Sequence, residues 1–101
     1  MVKHVILWEL KDEYSVDEKK EIKAGIKEGL EGLKGQIPGL LDIKVNTEGL
    51  ASSKNADLML DSCFESEEAL KGYAVNPAHV AVADGKVRPF VKTRSCLDYE
   101  V

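Results

Sequence analysis

Residues 2–10, Val2-Lys3-His4-Val5-Ile6-Leu7-Trp8-Glu9-Leu10, decide the fold. Strand alternation puts Val2, His4, Ile6, Trp8 and Leu10 on one face, and Lys3, Val5, Leu7 and Glu9 on the other. Both faces carry large apolar groups at the middle of the run. A strand apolar on both sides needs cover on both sides, so the question for the rest of the chain is what supplies it.

Outward from this strand, Ser15-Val16-Asp17-Glu18 is a capping-box signature that starts a helix running to about Lys34. Ile22, Ile26, Leu30, Leu33 and Ile37 recur at helical spacing as its buried stripe. Lys19, Lys20, Lys23, Lys27, Glu31 and Lys34 form the solvated face. Gly25, Gly29 and Gly32 fall inside the helix, at about 1 kcal/mol each against alanine, and close packing is the commoner reason for such glycines. Gly35 and Pro38-Gly39 stop it. Residues 40–48 read as a strand with Leu41, Ile43, Val45 and Thr47 on one face. A polar loop from Gly49 to Asn55 follows, then a strand over 56–64 with Leu58, Leu60, Ser62 and Phe64 facing one way. Ser66 caps a short helix through Tyr73. After Asn76-Pro77 a segment interrupted at Asp84-Gly85 reaches Phe90, and residues 91–101 make the last strand.

The order β-α-β-β-α-β predicts a ferredoxin-like α+β fold, a four-stranded antiparallel sheet with both helices on one face. Two helices cover one side only. The apolar second faces of residues 2–10 and of Met59 and Cys63 therefore predict a partner sheet, most simply in a twofold homodimer. A chain of 101 residues suits one domain, 1–101, with 44% hydrophobic and 32% charged residues. A net charge of −4 without a basic cluster argues against nucleic acid and anionic membrane. No transmembrane span or signal peptide fits, and Met1 passes straight into the strand pattern, so a complete cytoplasmic protein is expected. Cys63 and Cys96 lack metal-ligand spacing and read as buried free thiols. With His4 and His79 they would share a zinc site only by tertiary accident.

The chemistry-bearing stretch is Tyr73-Ala74-Val75-Asn76-Pro77-Ala78-His79-Val80. Asn76 reads as an N-cap with Pro77 at the first helical position. His79 then lies in the first turn, where the helix dipole disfavours imidazolium. A neutral imidazole beside a phenol makes a general base with an orienting hydrogen-bond partner. The plainer reading is a partly buried helix-start histidine bonded to backbone.

Together, Val2-Lys3-His4-Val5-Ile6-Leu7, Ser62-Cys63-Phe64-Glu65-Ser66, the block from Tyr73 to His79, and Asp98-Tyr99 resemble the stress-responsive dimeric α/β-barrel family over nearly the whole chain. The resemblance implies ferredoxin-like homodimers whose two sheets close into a barrel. Plant polyketide cyclases of the family close a poly-β-keto thioester with a histidine and a tyrosine of this block. By resemblance those fall on His79 and Tyr73, with His4 lining the pocket. The expected pocket wall is His4, Ile6, Trp8, Ile26, Leu58 and Phe90. Ile22, Lys23 and Ile26 stand where the cyclase has an aromatic pair, so its substrate does not carry over. The resemblance thus leaves open a cofactor-free cyclase, isomerase or lyase acting on a carbonyl compound. A non-enzymatic dimer that is structural or holds a small apolar ligand also stays open. A cofactor-free monooxygenase of the related antibiotic-biosynthesis type lacks the Asn-Pro-Ala-His block and ranks last. No metal or organic cofactor is expected, because no cofactor fingerprint is present.

Overall fold

The computed structural model describes residues 1–48 and 56–101; the loop expected over Gly49 to Asn55 lies outside the described residues. The elements are β1 (Val2–Leu10), α1 (Val16–Glu31), β2 (Leu40–Asn46), β3 (Leu58–Phe64), α2 (Glu67–Val75), α3 (Pro77–Val82) and β4 (Val91–Glu100). The strands form one antiparallel sheet in the order β2-β3-β1-β4, the ferredoxin-like arrangement.

Each start signal acts where it stands. Ser15 Oγ accepts from the Glu18 N–H at 3.1 Å, and Glu18 Oε1 accepts from the Ser15 N–H at 2.9 Å, so two orphan donors of α1 are satisfied. The helix ends at Glu31 rather than Lys34. Three-residue turns take over there, with the Leu33 N–H on the Leu30 carbonyl and the Lys34 N–H on the Glu31 carbonyl. Leu33 and Ile37 of the expected stripe are buried from these turns, and Ile22 is only partly buried. At Gly29 a methyl group would sit 2.9 Å from Val82 Cγ1, so α1 meets α3 there through a missing side chain. Gly39 has φ +79°, and an added Cβ would lie 2.5 Å from Ala69 Cβ, so only glycine lets α2 close over this turn.

Three expectations are corrected. A register shift between Leu40 and Asp42 breaks the alternation of β2, so Leu40 is buried and Leu41 is exposed. Thr47 lies beyond the end of β2. Asp84-Gly85 does not interrupt the chain after α3. A single π turn, Ala83–Val87, continues it and buries Ala83 and Val87, and a 3₁₀ turn, Arg88–Phe90, leads into β4. Finally, Lys27 and Glu31 are not merely solvated. Lys27 Nζ donates to Glu31 and to the Val45 carbonyl, both at 2.8 Å, and the Val45 N–H donates to Glu31 at 2.8 Å. The outer edge of β2 is clamped at that residue by α1. Burial would raise the Glu31 pKa, but Lys27 and the Val45 N–H outweigh it and hold the carboxyl below its ordinary value.

The helix side of the sheet carries the core, with Leu10, Leu58, Leu60 and Phe64 almost fully buried. The other side presents Lys3, Val5, Leu7, Met59, Asp61, Cys63, Leu97 and Tyr99 by register. Leu7 is 42%, Leu97 64% and Tyr99 45% exposed. A Lys3–Asp61 ion pair at 2.6 Å sits among them. No helix is long and apolar enough to cross a membrane, among the described residues.

Candidate functional site

His4 faces the helices from the middle of the sheet and is buried. Its register partners are Ser62 on β3 and Asp98 on β4. Ser62 Oγ donates to the His4 carbonyl at 2.8 Å, and His4 Nδ1 meets Asp98 Oδ1 at 2.5 Å. The His4 ring stands edge-on to Phe64 and to Tyr73, with centroids 6.3 and 6.2 Å away.

Tyr73 comes down from the last turns of α2 and is 2% exposed. Ser66 caps that helix through its Oγ on the Ala69 N–H. The break is as the residues dictate: Asn76 Oδ1 accepts from the Ala78 N–H at 2.9 Å, and Pro77 opens α3. His79 follows, half-buried, with its ring 4.1 Å from that of Tyr73 at 35°. The two rings therefore stack rather than share the expected orienting hydrogen bond. Tyr73 Oη and His79 Nδ1 are both buried and have no hydrogen-bond partner among the described residues. Burial pushes the Tyr73 phenol up to about 12, against a weaker opposite pull from Arg94. Burial is also the main reason that the His79 pKa falls below its ordinary value, helped by the electrostatic influence of Arg88, His4 and Arg94. The nearby Ala74 carbonyl opposes this but completes no hydrogen bond to Nδ1. The ring is thus held neutral mainly by desolvation rather than by the dipole of a six-residue helix.

The expected pocket wall divides. Ile6 and Trp8 lie on the His4 face, 5% and 4% exposed. Ile26 and Leu58 are at 0% exposure and belong to the core. Phe90 packs against Tyr14 at 5.9 Å and borders a separate hollow with Ile22 and Gly25. The strand and helix faces converge on His4, Tyr73 and His79, but Ile26, Leu58 and Phe90 belong elsewhere.

Strand β4 supplies residues that the sequence reading did not place at the site. Arg94, Cys96 and Asp98 pair with Trp8, Ile6 and His4 and so lie on the same side. Cys96 is exposed, not buried as expected, and its Sγ lies 3.7 Å from His4 Nδ1 and 3.6 Å from Asp98 Oδ1. Cys63, opposite Lys3, faces the other way, so the two free thiols are on opposite sides of the sheet. His4, Cys96 and Asp98 offer three donor atoms within 4.8 Å of one another. The tertiary pairing of β4 with β1 thus brings one cysteine to one histidine, and leaves Cys63 and His79 out.

Compared with known proteins, residues 2–101 match the profile of the Dabb family, the stress responsive A/B barrel domain. The chain belongs to this family. A dimeric ferredoxin-like protein of unknown function from Bacteroides fragilis is similar at 31% identity, over 99% of this chain and 95% of that one, with a TM-score of 0.89. An Arabidopsis thaliana protein is similar at 27% identity, over 100% and 95%, with a TM-score of 0.75. The hydroxynitrile lyase of Passiflora edulis shares the fold at 18% identity, over 97% and 90%, with a TM-score of 0.72. No curated protein matches the chain. The fold of the Dabb chain is thus shared by a dimer of unknown function and by an enzyme.

Proposed function

We propose that this Dabb protein is a homodimer and a cofactor-independent catalyst of proton transfer next to a carbonyl, in the cyclase, isomerase or lyase class. His79 is the base and Tyr73 the hydrogen-bond donor to the carbonyl oxygen. One observation carries the reading: Tyr73 Oη and His79 Nδ1 are buried in neighbouring stacked rings, and neither has a hydrogen-bond partner among the described residues. Unsatisfied buried polar groups cost about 1–3 kcal/mol each, and they cluster where a ligand's polar atoms complete them. A neutral imidazole keeps a basic nitrogen in either tautomer. A phenol held up to about 12 stays protonated and donates at neutral pH. The dimeric state of the Bacteroides protein supports the assembly.

Deuterium exchange at the carbon next to the carbonyl, followed by proton NMR over a panel of ketones and oxo acids, tests the reaction. Wild-type protein should catalyse exchange, and His79→Ala should lose it by ~10²–10⁴-fold. A panel with no exchange leaves the non-enzymatic binding or structural dimer.

A further inference from the structure

The helix side of β4 is graded in charge. Arg94, Cys96, Asp98 and Glu100 stand in register with Trp8, Ile6, His4 and Val2. At the acidic end a hollow of about 360 Å³ includes Val2, Leu70 and Ala74 with Glu67, Asp98 and Glu100, three carboxylates against the single ammonium of Lys71. At the basic end a hollow of about 250 Å³ has Trp8, Ala83, Val87 and Val91 as its apolar wall and carries Arg88 and Arg94. Arg88 is paired with Asp84 on its own turn. No carboxylate lies within ion-pair distance of Arg94 among the described residues. Its polar neighbour is the Cys96 thiol. By register Arg94 stands beside Trp8 on the same side of the sheet as His4, whose ring lies 6.2 Å from that of Tyr73, and its charge pulls the Tyr73 and His79 pKa values down.

A guanidinium without a carboxylate, set in an apolar hollow, has a specific complement. Its forked donors match a carboxylate, and the apolar wall accepts the attached carbon chain. Resting on the proton-transfer reading above, we infer that the substrate is an organic carboxylate on a short apolar stem. Arg94 holds the carboxylate in the Trp8 hollow, and the carbonyl of the same molecule lies toward Tyr73 and His79. The acidic end of the strand repels the anion and so sets its direction along β4.

Trp8 is the only tryptophan and borders the hollow, so its fluorescence reports occupancy. Titration with 5-oxohexanoate and with hexan-2-one, followed by Trp8 fluorescence and by calorimetry, tests the inference. The anion should bind at least ~10-fold more tightly than the neutral ketone. Arg94→Gln should abolish the difference, and Arg94→Lys should restore part of it, because charge survives and the fork is lost. His79→Ala should keep it. Equal affinities, no saturable binding by wild type, or a preference that persists in Arg94→Gln would overturn the carboxylate site. Arg94-dependent anion binding without deuterium exchange would uphold the site and defeat the proton-transfer reading instead.

Discussion

Tyr73→Phe reverses the usual sign of a core substitution. The ring survives in its contacts with Phe64 and His79, while a buried hydroxyl without a partner leaves. Thermal unfolding at pH 7 should show the variant more stable by ~1 kcal/mol, the desolvation cost of an unpaired hydroxyl. A loss of stability would show that the hydroxyl is bonded after all. His79 gives the matching pH prediction. Its pKa lies below the ordinary 6.5 because burial disfavours imidazolium. Exchange activity should therefore be flat from pH 8 to below 7 and fall only as pH drops through the lowered value. The unfolded chain binds a proton near pH 6.5 and the folded ring does not, so His79 subtracts stability as pH falls below that point. A rate that already falls with an inflection above 6.5 would assign the base elsewhere. His4, Tyr73 and His79 were legible because strand alternation and a proline-started turn are local signals. The placing of Arg94, Cys96 and Asp98 beside them was not, because nothing local says that β4 pairs with β1 or in which register. His4 and Asp98 are 94 residues apart, and their pairing is a property of the closed sheet.

In α1, two glycines four residues apart should respond to alanine with opposite signs. At Gly25 an added Cβ meets nothing within 4 Å. Gly25→Ala should stabilise by ~0.5–1 kcal/mol through helix propensity alone. At Gly29 the same methyl lands 2.9 Å from Val82 Cγ1, on a stiff β-branched side chain, and 3.0 Å from the more yielding Lys86 Cδ. Gly29→Ala should cost ~1–2 kcal/mol in denaturant melts, as overpacking outweighs propensity. Equal signs would mean that α1 and α3 do not meet through Gly29. The element order and most strand faces were readable from periodicity and caps. The misplaced details are those that periodicity cannot carry. The bulge that exchanges Leu40 for Leu41 and the π turn through Asp84-Gly85 each add a residue to a regular count, and tertiary packing alone fixes where. The clamp of Lys27 and Glu31 on Val45 was hidden because both residues also suit a solvated helix face.

For the whole molecule, the proposed dimer rests on the apolar side of the sheet. Leu97 is 64% exposed and contributes little to the chain's own core. Leu97→Asp should leave the fold intact and shift sedimentation from twice 11.1 kDa toward the single chain. A wild-type monomer at micromolar concentration would remove the dimer. The helix side of β4 has a different consequence. From Lys92 to Glu100 every residue of this strand is exposed, and β1 is its one strand neighbour. Its hold on the molecule is a ladder of backbone bonds with side-chain bonds at His4–Asp98 and Lys92–Asp12 and little apolar burial of its own, the kind of segment that opens locally while the rest stays folded. Arg94, Cys96 and Asp98 ride on it. In a dimer the partner's sheet lies against Leu97 and Tyr99 and pins the strand from the far side. On the proposed dimer and reaction, dilution should then loosen the charged row without unfolding the chain, and specific activity should depend on protein concentration even though each chain carries its own His79.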